Sequence, residues 1–306
     1  MIVSKGQQSR SQPNPLLLDR ALGAFLGVAV GDALGATVEF MTAQEIVAQF
    51  KIHNQIIGGG WLHLKPGQVT DDTEMTLALS SALIASNGWN LRAIADAFAA
   101  WMRSEPVDIG NTCRRGISRY LSNRSFCAPP AEGDGGNGAV MRNLPAVFVS
   151  LESEAVLIQR SLEQAHLTHN HPESDAAAAA IACMTRRLLL EGEQAACDQI
   201  AADLITRNPV FRFKPWPGNT SGYIVDTVQT VFDGFFNTGS FEDCLVQVVN
   251  RGGDADTTGA LAGQLAGALY GVQGIPARWL EKLDPNITAA IYRQTPQLLN
   301  LSSPVK

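Results

Sequence analysis

No CxxC pair occurs in the 306 residues, and the five cysteines, at 113, 127, 183, 197 and 244, are scattered and odd in number. That excludes a disulfide framework or a cysteine-based zinc site and fits a reducing, cytoplasmic setting. Charge is also sparse, at 17% of residues, and acids outnumber bases 29 to 23. A chain with a formal net charge of −6 lacks the basic face that general nucleic-acid binding needs. Long apolar runs are missing. The longest near the start, Ala21 to Gly31, is too short to span a bilayer and stops at Asp32, and no secretory signal is visible. Period-two alternation is scarce: Val246-Gln247-Val248-Val249 is the best strand candidate, and its lead-in, Phe241-Glu242-Asp243, suits a helix better. Nor does a Ser/Gly- or Pro-rich linker divide the chain, although a length prior of ~150 residues per domain would suggest two domains. The expectation is an all-α fold: a polar, disordered tail over 1–15, then one compact multi-helix domain over 16–306.

What the chain does have is concentrated acid beside glycine and threonine. Arg251-Gly252-Gly253-Asp254-Ala255-Asp256-Thr257-Thr258-Gly259 reads as a tight turn entering a helix. Leu261, Leu265 and Leu269 then repeat every fourth residue, as do Gly259, Gly263, Gly267 and Gly271. Glycine costs about 1 kcal/mol per helix position relative to alanine. Four at one spacing therefore predict that another backbone approaches that stripe. A second acidic pair, Thr70-Asp71-Asp72-Thr73, also precedes a helical pattern, and Gly31-Asp32-Ala33-Leu34-Gly35 with Glu39 forms a third piece. Each pair alone is what an ordinary helix cap looks like. If the three meet, however, carboxylates crowd one site, and two of them ~4 Å apart repel by about 4 kcal/mol at an effective dielectric of about 20. Either some are protonated or cations sit among them. Such a meeting requires the first and last helices to pack together.

Between these pieces the periodicity predicts helices over 72–86 and 90–103. Asp108 follows Pro106 in a turn, and Arg114, Arg115 and Arg119 read as helix-face salt bridges or a phosphate clamp. Residues 127–138 form a glycine-rich loop with a helical pattern from about Ala139, a weak phosphate-cradle signal that is neither a Walker A loop nor GxGxxG. His63 reads as loop surface. Of His166, His169 and His171, His169 is read as contacting substrate or supporting the site, because the acidic constellation is hard-oxygen chemistry suited to Mg²⁺, Mn²⁺ or Ca²⁺. Residues 208–222 are another loop, followed by a helix that Tyr223 opens.

In order along residues 18–285, GDALG with Glu39, TDDTEM (70–75), GNGAVMR (136–142), TH (168–169), SGYIVDT (221–227) and GGDADTTGALAG (252–263) resemble the ADP-ribosylglycohydrolases. The resemblance implies an all-α fold with a binuclear Mn²⁺ or Mg²⁺ centre at the mouth of a cleft. It implies Thr70, Asp71 and Asp72 as one ligand group and Asp254, Asp256 and Thr257 as the other, with Asp256 bridging. It gives Glu39 as a catalytic acid or base and Asp108 as the residue that meets the arginine side of the substrate. Asp72 is counted with these two as catalytic. Gly136, Asn137 and Gly138 hold ADP-ribose, and His169 and Tyr223 line the cleft. GWLHLKPGQVTDDTEM and DIGNTCRRGI are similar to the bacterial branch that acts on the nitrogenase iron protein. That branch implies a monomer, regulated through a PII-type signal protein and an ammonium-channel complex at the membrane. The alternatives are hydrolysis of another linkage, such as serine O-linked ADP-ribose, and a non-catalytic ADP-ribose-binding or structural role.

Overall fold

The computed structural model describes residues 14–302. Its helices are α1 (Pro15–Gly35), α2 (Ala43–Phe50), α3 (Asp71–Ala85), α4 (Leu91–Arg103), α5 (Asn111–Asn123), α6 (Leu144–Phe148), α7 (Glu154–Ala165), α8 (Pro172–Glu191), α9 (Asp198–Arg207), α10 (Ile224–Asn237), α11 (Phe241–Val249), α12 (Ala255–Tyr270), α13 (Ala277–Leu280) and α14 (Pro285–Leu299). Among the described residues there are isolated bridges and no strand. Val246–Val249 thus lies in a helix. Of the tail expected over 1–15, residues 1–13 lie outside the described residues. Pro15 already opens α1, where its missing N–H costs no intrahelical bond, and the Asn14 side chain accepts from the Leu16 N–H.

Helices α1 and α12 form the axis of the molecule. Both are buried on every side, α1 from Gly23 to Gly35 and α12 from Ala255 to Ala268. They run antiparallel with their glycine stripes in register: Gly23 faces Gly267, Gly27 faces Gly263, Gly31 faces Gly259, and Gly35 faces Ala255. A Cβ on any of these four α1 glycines would overlap backbone of the opposite helix. The stripe on α12 therefore meets a matching one on α1, of which Gly31 and Gly35 belong to the third acidic piece of the sequence. Around the pair, α8, α10 and α11 pack on α12, and α3 and α14 pack on α1.

Backbone pairing then joins the chain's distant parts at one end of the axis. Phe40 N–H donates to the Gly253 carbonyl (2.7 Å) and Gly253 N–H donates to the Met41 carbonyl (2.8 Å), which sets Glu39 beside Asp254. Gly252 and Gly253 have φ of 72° and 64°, and side chains there would strike Met41 and Thr220 backbone. Asn137 N–H donates to Gly222 O (3.1 Å) and Ile224 N–H to Gly135 O (2.9 Å), which brings the glycine-rich loop to the start of α10. The helix expected from Ala139 does not form. Residues 139–142 are turns, and only the five-residue α6 follows. Pro145 has no N–H to give the Met141 carbonyl, so one helix cannot run through.

Candidate metal centre and cleft

Neither acidic pair caps its own helix. Thr70 and Asp254 occupy the N-cap positions of α3 and α12 without a side-chain capping bond. The capping of α3 is delegated to Asp32 of α1, whose carboxylate takes the N–H and hydroxyl groups of Thr70 and Thr73. That leaves Asp71 to accept from the Gly110 N–H (3.2 Å) and Asp72 to turn toward α12. Thr257 Oγ1 donates to Asp72 Oδ2 (3.2 Å), joining the two acidic mouths directly.

The carboxylates of Glu39, Asp254 and Asp256 each offer an oxygen within 4.8 Å of the other two. Asp72 Oδ1 is buried and has no hydrogen-bond partner. An orphaned buried carboxylate oxygen beside a cluster of hard oxygen donors is an environment a divalent cation completes. Without a cation every carboxylate here is pushed above its ordinary range. Burial is the largest cause throughout. For Asp71, driven to about 8, Asp108 is the strongest neighbouring charge, ahead of Asp32 and Asp254. Glu39 also rises to about 8; burial outweighs the bond from Trp61 Nε1 to its Oε2 (2.6 Å), and Asp254, Asp108 and Asp71 push it further. Asp72 and Asp256 are raised well above their usual values by burial and then by neighbouring aspartates. Asp254 rises through burial, partly offset by an Asn137 amide that donates to it.

Above this cluster opens a cleft of about 640 Å³. Glu39, Asp71, Asp254, Asp256 and Thr257 line it on the acidic side, Asp108 and Arg114 on another, and Gly136, Asn137, Gly138 and His169 on a third. Asp108 is raised by burial, with Arg114 pulling it back down. Thr70 and Asp72 lie beneath the lining, fully buried. Asp72 is thus not at the cleft surface, and the Thr70 hydroxyl donates to Asp32 (3.0 Å), which leaves its lone pairs free. Glu39, read from sequence as a catalytic acid or base, stands among the clustered carboxylates with Asp254 and Asp256. Tyr223 does not line the cleft. It is 40% exposed, and its hydroxyl donates to Glu173.

His63 is exposed and outside the cleft. Of the arginine cluster only Arg114 reaches the cleft; Arg115 pairs with Asp134, and Arg119 donates to the Leu167 carbonyl (2.7 Å). Sequence reasoning missed the capping role of Asp32, the Trp61 bond to Glu39, and Arg142, which is fully buried behind the cleft. A signal existed for Arg142: a lone arginine between Ala139-Val140-Met141 and Leu144 has to satisfy its charge inside the core.

The ADP-ribosylglycohydrolase family profile matches residues 13–304. The chain is 54% identical over 288 residues to the ADP-ribosyl-[dinitrogen reductase] glycohydrolase of Rhodospirillum rubrum, covering 94% of this chain and 98% of that protein. It is 32% identical to the ADP-ribosylarginine hydrolase Tri1 of Serratia proteamaculans, covering 92% and 83%. A solved structure described as an ADP-ribosylglycohydrolase-related protein complex superposes with a TM-score of 0.82 at 32% identity, covering 94% of this chain and all of the other.

Proposed function

The chain belongs to the ADP-ribosylglycohydrolase family, and from that premise we propose that it hydrolyses the N-glycosidic bond between ADP-ribose and an arginine side chain of dinitrogenase reductase. Full-length 54% identity to the Rhodospirillum rubrum enzyme carries this reading, and the acidic cluster under a cleft of nucleotide size supports it. Thr70, Asp71, Asp72, Asp254, Asp256 and Thr257 are proposed to hold two divalent cations, Mn²⁺ or Mg²⁺, with Glu39 beside them. Bound there, the cations would supply positive charge for ribose hydroxyls and lower the pKa of a water.

The rest falls to the chain's own side chains. Cleavage of this bond builds positive charge at the anomeric carbon while guanidine leaves. Guanidine leaves readily only while protonated, and Asp108 on the cleft wall is placed to hold that guanidinium. Glu39, fixed by the Trp61 indole, is the candidate acceptor for the proton of the attacking water. The Gly136–Gly138 backbone offers close approach to the diphosphate, and Asn137, tied to Asp254 and to Thr227 (3.0 Å), holds that loop against the acidic side.

The test is release of ADP-ribose from an ADP-ribosyl-arginine protein, with Mn²⁺ and again after EDTA. Release that requires the cation is expected. ADP-ribose binding without release under either condition would overturn the hydrolase reading in favour of a binding protein. The regulatory proposal is recruitment of a cytoplasmic monomer by a PII-type signal protein at an ammonium-channel complex. Co-sedimentation of the full chain with PII-loaded membranes checks it. No helix among the described residues is long and apolar enough to cross a membrane.

A further inference from the structure

Arg142 is a cation with no ordinary counter-ion. It is 0% exposed, and no carboxylate among the described residues forms a salt bridge with it. Its guanidinium lies 4.6 Å from the Phe98 ring centroid. It donates from Nε to Gln164 Oε1 (3.0 Å), from Nη2 to the Gln164 carbonyl (3.2 Å), and from Nη2 to Thr168 Oγ1 (2.7 Å). Thr168 Oγ1 in turn lies 2.7 Å from His169 Nδ1.

Donor counting fixes the direction of this chain. A guanidinium has no acceptor, so Thr168 Oγ1 accepts from Arg142. A hydroxyl can accept twice, but among the described residues His169 Nδ1 is the one acceptor within reach of the buried Thr168 hydroxyl proton, so satisfying that proton makes Nδ1 the acceptor. His169 is 2% exposed, and burial together with Arg142 and Arg115 holds it well below the usual histidine range, so the ring is neutral. A neutral ring that accepts at Nδ1 carries its proton on Nε2. That edge faces the glycine loop: Cβ atoms at Gly136 and Gly138 would stand 3.2 and 3.3 Å from Nε2. With no side chain at either position, Nε2 opens to the cleft.

We propose that Arg142 and Thr168 are positioning residues that lock His169 as an obligate Nε2–H donor, aimed across the Gly136–Gly138 loop at an acceptor oxygen of the substrate. Read this way, His169 is neither a cation ligand nor a general base. The class of group it takes is a phosphate, hydroxyl or carbonyl oxygen. Only that last identification rests on the ADP-ribose reading of the cleft; the locked tautomer does not.

Long-range ¹H–¹⁵N spectra of the full chain, labelled at histidine and loaded with diamagnetic Mg²⁺, read the tautomer directly. His169 should show the Nε2–H pattern throughout pH 6–9. Thr168→Val should release it to a mixed or Nδ1–H pattern and weaken calorimetric ADP-ribose binding about tenfold, the loss expected for one hydrogen bond. Thr168→Ser should restore both. A wild-type ring that is protonated or Nδ1–H at pH 7, or a Thr168→Val ring unchanged in tautomer, overturns the inference. A protonated or Nδ1–H wild-type ring overturns the lock even if Thr168→Val fails to fold, and Thr168→Ala then supplies the hydroxyl-free comparison. An Nε2–H ring in a protein that does not bind ADP-ribose would leave the lock standing and remove the functional reading instead.

Discussion

The Asp32 carboxylate accepts from Thr70 N–H (3.0 Å), Thr70 Oγ1 (3.0 Å), Thr73 N–H (3.1 Å) and Thr73 Oγ1 (2.5 Å), all fully buried. Burial lifts its pKa to about 6, and these bonds keep it from rising further. Asp32→Asn turns a donor toward these donors, so an expected loss of ~1–3 kcal/mol should appear in urea denaturation, along with weaker cation binding as Asp71 and Asp72 lose their platform. An unchanged midpoint would remove Asp32 from that role. The acidic residues themselves predict a pH signature. Asp71 and Glu39 ordinarily titrate at 3.8 and 4.5, and in the cation-free fold they stand at about 8 because of burial and then neighbouring carboxylates. The folded chain therefore keeps protons that the unfolded chain releases. Their stabilisation is complete below about pH 4 and is lost as pH climbs through about 8. Melting curves in EDTA should fall across that range, and a saturating divalent cation should flatten them. A flat profile in EDTA would contradict the raised values. The acid clusters were legible in the sequence because doubled Asp-Thr groups are unusual for simple caps. The partners of Arg142 were not, since residues 164 and 168 lie on a segment that only the tertiary fold brings close.

At the scale of elements, glycine spacing is what places the site. The stripe on α12 predicted a close backbone neighbour, and α1 supplies it with glycines at 23, 27, 31 and 35. Helices α3, α4, α10 and α12 could be read from periodicity, since apolar residues recur where each buries a face. The segment 139–148 could not, because proline chemistry at 145 overrides an apolar run. Gly259→Ala and Gly267→Ala should each cost about 1–3 kcal/mol by overpacking against α1. Their effects on the site should diverge. Gly259 opposes Gly31, next to Asp32, whereas Gly267 opposes Gly23 toward the far end of the axis. Isothermal titration with Mn²⁺ should show cation affinity falling more for Gly259→Ala than for Gly267→Ala. Equal affinities would mean that the helix pair does not transmit its spacing to the carboxylates.

For the whole molecule, cation binding and folding are one equilibrium. A cation that binds only the folded chain at 100 times its dissociation constant adds about 2.7 kcal/mol to apparent stability. The proposed donors lie at the starts of α3 and α12, with Glu39 on the turn after α1 beside them, so no fragment holding one acidic pair contains the proposed centre. The α1–α12 pairing has a further consequence, for biosynthesis. On the ribosome, α1 emerges first, carrying a glycine face that can be matched only by a segment more than two hundred residues downstream. Until that segment leaves the exit tunnel, Asp71 and Asp72 lack the Asp254 and Asp256 carboxylates that join them in the folded chain. A cation centre that needs both acidic mouths is therefore completed only after α12 has emerged.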